Sequence, residues 1–249
     1  MIEPLLLTTT RILTFKGHRP MTQASAFFFS RAGRLYLVTS RHVLFDAAAG
    51  HFPDRIEITL HTNQNNATQT TGLSILLYSQ GERVWRQGLH PNDDVDVAVI
   101  EVDQGHMPAA HFCAFTPAHL QQSLSDIEVG QALLIVGFPL GFHDALHHLP
   151  VVRQAVIASS FGLRFQGQGM FLTDARMHSG TSGSPVVIRA SADDKACAYL
   201  PWKLLGVHSS RVDVGTRNRQ IDESLGLNVA WYADILMDLT ASTTATAVC

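Results

Sequence analysis

Short apolar runs separated by turn residues are the feature that most constrains this chain. They are five to nine residues long, rich in Val, Ile, Leu and Phe, and punctuated by Gly, Pro and Asn. Strands have this length, whereas helices need longer periodic segments. The pattern therefore predicts an all-β barrel or sandwich rather than alternating strands and helices. The predicted strands cover 24–29, 34–40, 55–61, 73–79, 96–102, 132–138, 151–159, 170–174, 185–189 and 203–209.

Helical patterns are confined to two places. The first is a short turn after RHV, through LFDAAAG. In the second, four apolar residues share one face at helical spacing, namely Trp231, Ile235, Leu236 and Leu239. This spacing predicts a helix over about 231–240. The stretch 103–126 is the predicted connection between two groups of strands.

Charge and hydropathy argue against two classes of partner. The 249 residues carry a net charge of −3 and no basic block, which argues against nucleic acid. No apolar stretch approaches the roughly 18 residues of a membrane span. The opening MIEPLLLTTTR lacks the basic start and long apolar run of a secretory signal. These features predict a soluble protein.

The cysteines are three in number and far apart, at Cys113, Cys197 and Cys249. An odd number of widely spaced cysteines without a CxxC pair argues against a disulfide framework and against a zinc site. Unpaired thiols suit a reducing compartment. We therefore predict a cytoplasmic location.

The stretch HSGTSGSPV, residues 178–186, holds a serine between glycines just before an apolar run. A tight turn would explain it, and so would a nucleophile. Glycines at Gly180 and Gly183 allow backbone angles that aim successive N–H groups to one side. The amides of Gly180 and Ser182 would then form an oxyanion hole beside a Ser182 nucleophile.

A serine nucleophile needs a base and a group that orients the base. His42 ends an apolar run in LVTSRHVLF, which places an imidazole at a strand end. Asp96 begins the apolar strand of DVDVAVIEV, where an unpaired buried carboxylate would be costly. Asp93 and Asp94 fit a polar lead-in better. The order His42, Asp96, Ser182 differs from that of α/β-hydrolases, in which the serine comes first.

A zinc-protease site is an alternative interpretation, because HDALH, residues 143–147, resembles the HExxH motif. Gly141 and Pro150 leave room for about two helical turns at most, and no third ligand is evident. We expect a solvated loop there and no metal site.

Three boxes together resemble the chymotrypsin-like serine peptidases, namely TSRHV, DVAVI and GTSGSPV. Within that family, VGQALLIVGFPLGF (129–142), FLTDARMHSGTSGSPV (171–186) and GLNVAWYADIL (226–236) are most similar to the HtrA-type branch. The resemblance spans roughly residues 20–240. A PDZ domain usually follows in that branch, and from the length of this chain we expect the protease domain alone.

The resemblance implies a single trypsin-like domain of two packed, antiparallel, six-stranded β-barrels with a C-terminal helix. The barrels would cover about 8–110 and 125–231, and the helix about 231–240. The implied activity is hydrolysis of peptide bonds in a polypeptide through an acyl-enzyme, without a cofactor. Ser182 would attack, His42 would be the general base, and Asp96 would orient His42. A peptide-binding module without catalysis, or one that a regulatory partner activates, is the alternative.

One departure concerns activation. Thr181 stands where many relatives have Asp or Asn before the nucleophile. An Asp at that position pairs with a freshly cleaved N-terminus in the digestive enzymes. We therefore predict that cutting a new N-terminus is not the activating step.

Substrate preference is implied by GVHSS, residues 206–210. Glutamate-specific bacterial peptidases and picornaviral main proteases have a similar Gly-apolar-His run, whose histidine contacts a Glu or Gln side chain. Carried over, His208 and Ser209 would line the specificity pocket. Arg176 would disfavour Lys or Arg there unless it points to solvent. Met177 would narrow the pocket and favour small apolar residues, so both preferences remain open, and His208 could instead be a core residue.

Overall fold

A computed structural model of the chain describes residues 2–88, 95–191, 194, 197, 199–211 and 226–241. Within them, strands form two groups joined by an irregular connection over 103–131, with short 3₁₀ turns. The predicted connection, 103–126, lies inside this segment. No helix among the described residues is long and apolar enough to cross a membrane.

The N-terminal half is a seven-stranded antiparallel sheet with a small hairpin beside it. Its elements are β1 (Thr9–Lys16), β2 (Arg19–Arg31), β3 (Arg34–Thr39), α1 (Arg41–Leu44), β4 (Arg55–His61), β5 (Thr70–Leu76), β6 (Tyr78–Ser79), β7 (Glu82–Arg83), β8 (Trp85–Gln87) and β9 (Ala98–Val102). The sheet order is β5-β4-β1-β2-β3-β9-β8, and β6 pairs with β7.

The C-terminal half is a closed six-stranded barrel followed by a short helix. Its elements are β10 (Ala132–Gly137), β11 (Val151–Ile157), β12 (Met170–Asp174), β13 (Pro185–Arg189), β14 (Trp202–Arg211), β15 (Leu227–Tyr232) and α2 (Ile235–Leu239). Around the barrel the order is β10-β11-β12-β15-β14-β13.

The mostly-β architecture and the closed C-terminal barrel agree with the sequence prediction. The N-terminal half differs in detail, because it has seven strands in its sheet rather than six. Among the described residues, its edge strands β5 and β8 do not pair with each other. In the described residues, this sheet is therefore not closed into a barrel by hydrogen bonds between its two edge strands.

The C-terminal helix begins later than predicted. Trp231 lies in β15, where it pairs with Met170 of β12 and Val207 of β14, and α2 begins only at Ile235. The alternating segment Leu227–Tyr232 gains two strand partners in the barrel, and this outweighs the local helical spacing. The predicted apolar face is nevertheless present, because Trp231, Leu236 and Leu239 lie in one core cluster.

Strand β2 explains how the two halves pack. Phe28 points into the core of the N-terminal sheet, whereas Phe27 and Phe29 point into a second core shared with Val207 and Trp231 of the C-terminal barrel. Successive side chains of a strand face opposite sides, so an uninterrupted apolar run is expected where both faces are covered. The run AFFF therefore positions β2 between the two halves.

Helix α2 is held against the N-terminal sheet at its C-terminal end. The Arg31 guanidinium donates to the carbonyl of Met237 and, at 3.2 Å, to the hydroxyl of Thr240. Arg86 donates to the carbonyl of Ala241 at 2.8 Å. Cations are favourable at the carbonyl end of a helix, and here they also tie the last element of the fold to the first half.

Candidate active site

His42 sits in α1, the single turn that follows β3. Its ring donates through Nδ1 to Asp96 Oδ2 at 2.6 Å, and its backbone N–H donates to Asp96 Oδ1 at 2.8 Å. One carboxylate thus binds both the ring and the backbone of the same residue. The ring orientation is fixed, and the unbound nitrogen Nε2 is left as an acceptor.

Asp96 lies just before β9 and is the more deeply buried of the two. Its side chain is 14% exposed, compared with 32% for His42. A third donor reaches it, because the Ser209 hydroxyl lies 2.5 Å from Asp96 Oδ2. A carboxylate with three hydrogen bonds to its charged form is stable as an anion even when largely buried.

The two pKa shifts go in opposite directions. Burial lowers the pKa of His42, but the hydrogen bond and negative charge of Asp96 raise it by more, so it lies above 6.5. Burial raises the pKa of Asp96, but the bonds from His42 and Ser209 lower it further, below its ordinary value. Both shifts therefore stabilise the ion pair of protonated His42 and ionised Asp96 that forms when His42 accepts a proton.

The nucleophile loop, residues 178–184, connects β12 to β13 and needs glycine at two positions. Gly180 has φ +93° and Gly183 has φ +85°, a region that favours glycine. An added Cβ at Gly180 would lie 2.5 Å from the carbonyl oxygen of Phe138, and one at Gly183 would lie 2.2 Å from that of Ser25. The loop therefore approaches neighbouring backbone more closely than any side chain would permit.

The carbonyls of four consecutive peptide groups in this loop, those of residues 179–182, all accept hydrogen bonds. Their donors, in chain order, are Leu140 N–H (2.6 Å), the Ser25 hydroxyl (2.8 Å), Ser184 N–H (3.0 Å) and Ser25 N–H (3.0 Å). Because each peptide group is planar, a bound carbonyl also fixes the direction of the N–H across the same bond. The loop is therefore rigid at every one of these peptide planes.

The N–H groups of the same four peptides divide into two kinds. Thr181 N–H donates to the carbonyl of His178 at 3.3 Å, and Gly183 N–H donates to that of His208 at 2.8 Å. Neither Gly180 N–H nor Ser182 N–H finds an acceptor among the described residues. The two amides named from the sequence are thus both available to a ligand.

The Ser182 hydroxyl donates to the carbonyl of Ser209 at 2.9 Å. Among the described contacts, no hydrogen bond joins it to His42. Ser209 therefore binds two of the three candidate catalytic residues, Asp96 through its side chain and Ser182 through its backbone. Its predicted place in the specificity pocket stays a prediction, and its contacts with Asp96 and Ser182 were not foreseen.

The other predicted specificity residues lie in different environments. His208 is 2% exposed, and its Nδ1 has no hydrogen-bond partner in the described structure. Met177 is buried in the core cluster of the C-terminal barrel, and Arg176 is exposed, with its carbonyl bound by Arg153 at 2.6 Å. None of these contacts shows a pocket, so their role in substrate binding stays a prediction.

Burial lowers the pKa of His208 to about 4, and the nearby His42 adds to this effect. The ring is therefore neutral at physiological pH. A neutral imidazole carries one donor and one acceptor, whereas the protonated ring carries two donors.

The segment HDALH forms a turn rather than a helix. Backbone pairing of Asp144 with Leu149 closes it, and the Asp144 carboxylate accepts from His147 Nδ1 at 2.7 Å. His143 Nδ1 donates to the carbonyl of Gly141 at 2.6 Å. The two histidines of the motif are therefore engaged in separate local contacts.

Sequence reasoning missed Ser25, which is fully buried in β2 and contacts the nucleophile loop. No motif marks it. A single polar residue in the apolar run ASAFFF is the one signal available, because a buried hydroxyl requires a partner.

Comparisons with known proteins agree with this geometry. The family model described as a trypsin-like peptidase domain matches residues 24–191. A search of curated proteins found no match.

Two solved structures resemble the chain over most of its length. One is an HtrA-type protease, AlgW, with a tripeptide, at 19% identity and TM-score 0.52, covering 94% of this chain and 58% of that chain. The other is the serine endoprotease from Yersinia pestis, at 18% identity and TM-score 0.56, covering 94% and 61%. This chain thus spans about three fifths of each, and at such identities the likeness concerns the fold.

The family model covers more than half of the chain, including the candidate residues His42, Asp96 and Ser182. The chain therefore belongs to the trypsin-like peptidase family.

Proposed function

We propose that the protein cleaves polypeptides through an acyl-enzyme on Ser182, with His42 as general base and Asp96 as its orienting partner. The observation that carries this proposal is the nucleophile loop, in which the amides of Gly180 and Ser182 both lack an acceptor among the described residues. These are the donors that a developing oxyanion needs. The His42–Asp96 pair supplies a base with a fixed ring.

The reaction begins with a rotation of the Ser182 side chain. The hydroxyl leaves the carbonyl of Ser209 and turns to His42 Nε2, which accepts its proton as the oxygen attacks the substrate carbonyl. Catalytic hydrogen bonds are often absent before substrate binds, so this rotation is compatible with catalysis. The negative oxygen of the tetrahedral intermediate accepts from Gly180 N–H and Ser182 N–H.

Collapse of that intermediate breaks the carbon–nitrogen bond. His42 returns its proton to the leaving amine, and the acyl group remains on Ser182. Water then attacks the ester, His42 takes its proton, and the acid is released as the Ser182 hydroxyl re-forms. Throughout, Asp96 stays ionised and stabilises the charged ring.

A neutral His208 supports a preference for Gln over Glu at the cleavage site. One donor and one acceptor match a carboxamide, whereas a carboxylate offers acceptors only. A site built to hydrogen-bond a polar side chain discriminates strongly against apolar ones. Profiling a peptide library with wild type and His208→Ala tests this. An unchanged profile in the variant, or efficient cleavage after Lys or Arg, contradicts it.

A peptide-binding module without catalysis is the second candidate. It is favoured by one observation, the hydrogen bond from the Ser182 hydroxyl to Ser209 rather than to His42. The cytoplasmic location stays a prediction.

A fluorophosphonate probe separates the two candidates. We expect stoichiometric labelling of the wild type, with no labelling of Ser182→Ala. Ser179→Ala is the matched control, since Ser179 is an exposed serine of the same loop, and it should label like the wild type. Turnover of a cleaved peptide should fall about 10⁴–10⁶-fold in Ser182→Ala and His42→Ala. A wild type that never labels favours the binding module.

A further inference from the structure

Ser25 lies in β2 of the N-terminal half, yet its polar groups are directed at the C-terminal barrel. It is fully buried. Its backbone N–H donates to the carbonyl of Ser182 at 3.0 Å, and its hydroxyl donates to the carbonyl of Gly180 at 2.8 Å. One residue thus holds the nucleophile's own carbonyl and the carbonyl of the first oxyanion-hole residue.

The same hydroxyl also binds a second segment. It accepts from Phe138 N–H at 3.0 Å, at the point where β10 ends and the turn over 138–141 begins. That turn presents Leu140 N–H to the carbonyl of Ser179 at 2.6 Å. The carbonyl of Ser179 and the N–H of Gly180 belong to one planar peptide group, so this contact sets the direction of the first oxyanion donor.

The packing around Ser25 leaves its backbone and side chain little room to move. The Ser25 carbonyl accepts from the Thr39 hydroxyl at 2.8 Å, which fixes its own backbone. An added Cβ at Gly137 would lie 2.6 Å from Ser25 Oγ, and one at Gly183 would lie 2.2 Å from Ser25 O. Both segments that Ser25 binds approach it as closely as glycine permits.

We infer that Ser25 is a positioning residue for the oxyanion hole, acting through the Gly180 carbonyl and through the Phe138–Leu140 turn. This inference rests on the proposed function. Loss of the hydroxyl leaves a buried carbonyl and a buried N–H without partners, and the loop is expected to move to find others. A donor displaced by less than an ångström stabilises the transition state less, although His42 and Asp96 are untouched.

The rate of reaction with diisopropyl fluorophosphate tests this without a known substrate. Ser182 oxygen bonds to phosphorus, fluoride leaves, the hydroxyl proton passes to His42, and the phosphoryl oxygen occupies the oxyanion hole. We expect the second-order rate constant of Ser25→Ala to fall about 10–100-fold. The final stoichiometry should stay at one, and the midpoint of the acid limb of the pH profile should not move.

Thr14→Val is the matched control. Thr14 is also fully buried in the N-terminal sheet, and its hydroxyl donates to the carbonyl of Thr22 at 3.2 Å and accepts from Thr22 N–H at 2.9 Å. It therefore loses the same two kinds of hydrogen bond away from the nucleophile loop. We expect lower stability in this variant, with a rate constant within about twofold of wild type.

The outcomes are distinct. A wild type that does not react overturns the proposed function and this inference with it. A reactive wild type with an unchanged Ser25→Ala rate overturns only the role of Ser25. A lower reacting fraction at the normal rate means a purely structural role and also overturns it. If Ser25→Ala does not accumulate, Ser25→Cys replaces it, with longer contacts to sulfur and an expected loss of about 3–10-fold.

Discussion

The hydrogen bonds between Asp96 and His42 determine the pH range in which His42 can act as a base. The ring must be neutral to accept a proton, and its pKa lies above 6.5 because Asp96 outweighs the effect of burial. We therefore expect the proposed activity to be lost as pH falls through that raised pKa. In Asp96→Asn the charge is gone and burial remains, so the pKa of His42 should drop below 6.5.

We expect Asp96→Asn to lower the plateau rate by about 10³–10⁴-fold and to move the acid limb to lower pH. The pH profile of phosphonylation measures both. Ser209→Ala is an informative comparison, because it removes one donor from the carboxylate and leaves the charge. An acid limb that stays in place in Asp96→Asn would show that another group sets it.

At the scale of single residues, the sequence motifs around His42 and Ser182 are distinctive, whereas the motif around Asp96 is short and less specific. His42 and Asp96 do meet in the structure. Ser25 could not be found, because its contacts with Gly180 and Phe138 are about 155 and 113 positions away along the chain. Long-range backbone contacts of this kind leave no local pattern.

The nucleophile loop is the element whose shape most directly decides reactivity, and Thr181 closes its first turn. The Thr181 hydroxyl donates to the carbonyl of His178 at 2.7 Å, alongside the bond from its own N–H. A local hydrogen bond thus stands where other relatives use an ion pair to a new N-terminus. The loop is formed without that partner in the described structure.

We therefore expect the intact chain to react with the fluorophosphonate without prior proteolysis. Thr181→Val should slow the reaction about tenfold, because a local turn hydrogen bond is lost, whereas Thr181→Ser keeps the hydroxyl and should stay within about twofold. Reactivity that appears only after removal of N-terminal residues, with the new amine required, would be incompatible with this account.

The bounds of an element are predicted best where the local apolar pattern determines them. They are predicted worst where pairing with distant strands determines them. Strand β13 has the predicted bounds, Pro185–Arg189, because a turn and an apolar run delimit it. The spacing around Trp231 predicts a helix, but pairing within the barrel makes this segment a strand. Strand β1 (Thr9–Lys16) was overlooked because Arg11 and the threonines interrupt its apolar pattern.

For the whole molecule, a buried neutral histidine makes stability depend on pH. The pKa of His208 is about 4 when folded, compared with 6.5 ordinarily. An unfolded chain therefore binds more protons in this range. The stabilising contribution is present above pH 6.5 and is lost as pH falls toward 4.

Between pH 7 and pH 4.5, the free energy of unfolding of the wild type should fall by about 2 kcal/mol more than that of His208→Phe. Urea denaturation of both proteins at the two pH values measures the difference. Groups that do not interact with His208, Asp96 among them, should contribute equally to both proteins and cancel. Parallel losses in wild type and variant would mean that His208 is already accessible to protons when folded.

The contacts of Ser25 and Ser209 join the two halves of the protein, and their loss should inactivate the protein before it unfolds. His42 and Asp96 belong to one half and Ser182 to the other, so we expect a slight separation of the halves to abolish the proposed reaction while both β-structures persist. In low urea, inactivation should precede loss of the circular dichroism signal and should reverse on dilution. Loss of activity would thus reveal separation of the two halves before any strand has unfolded.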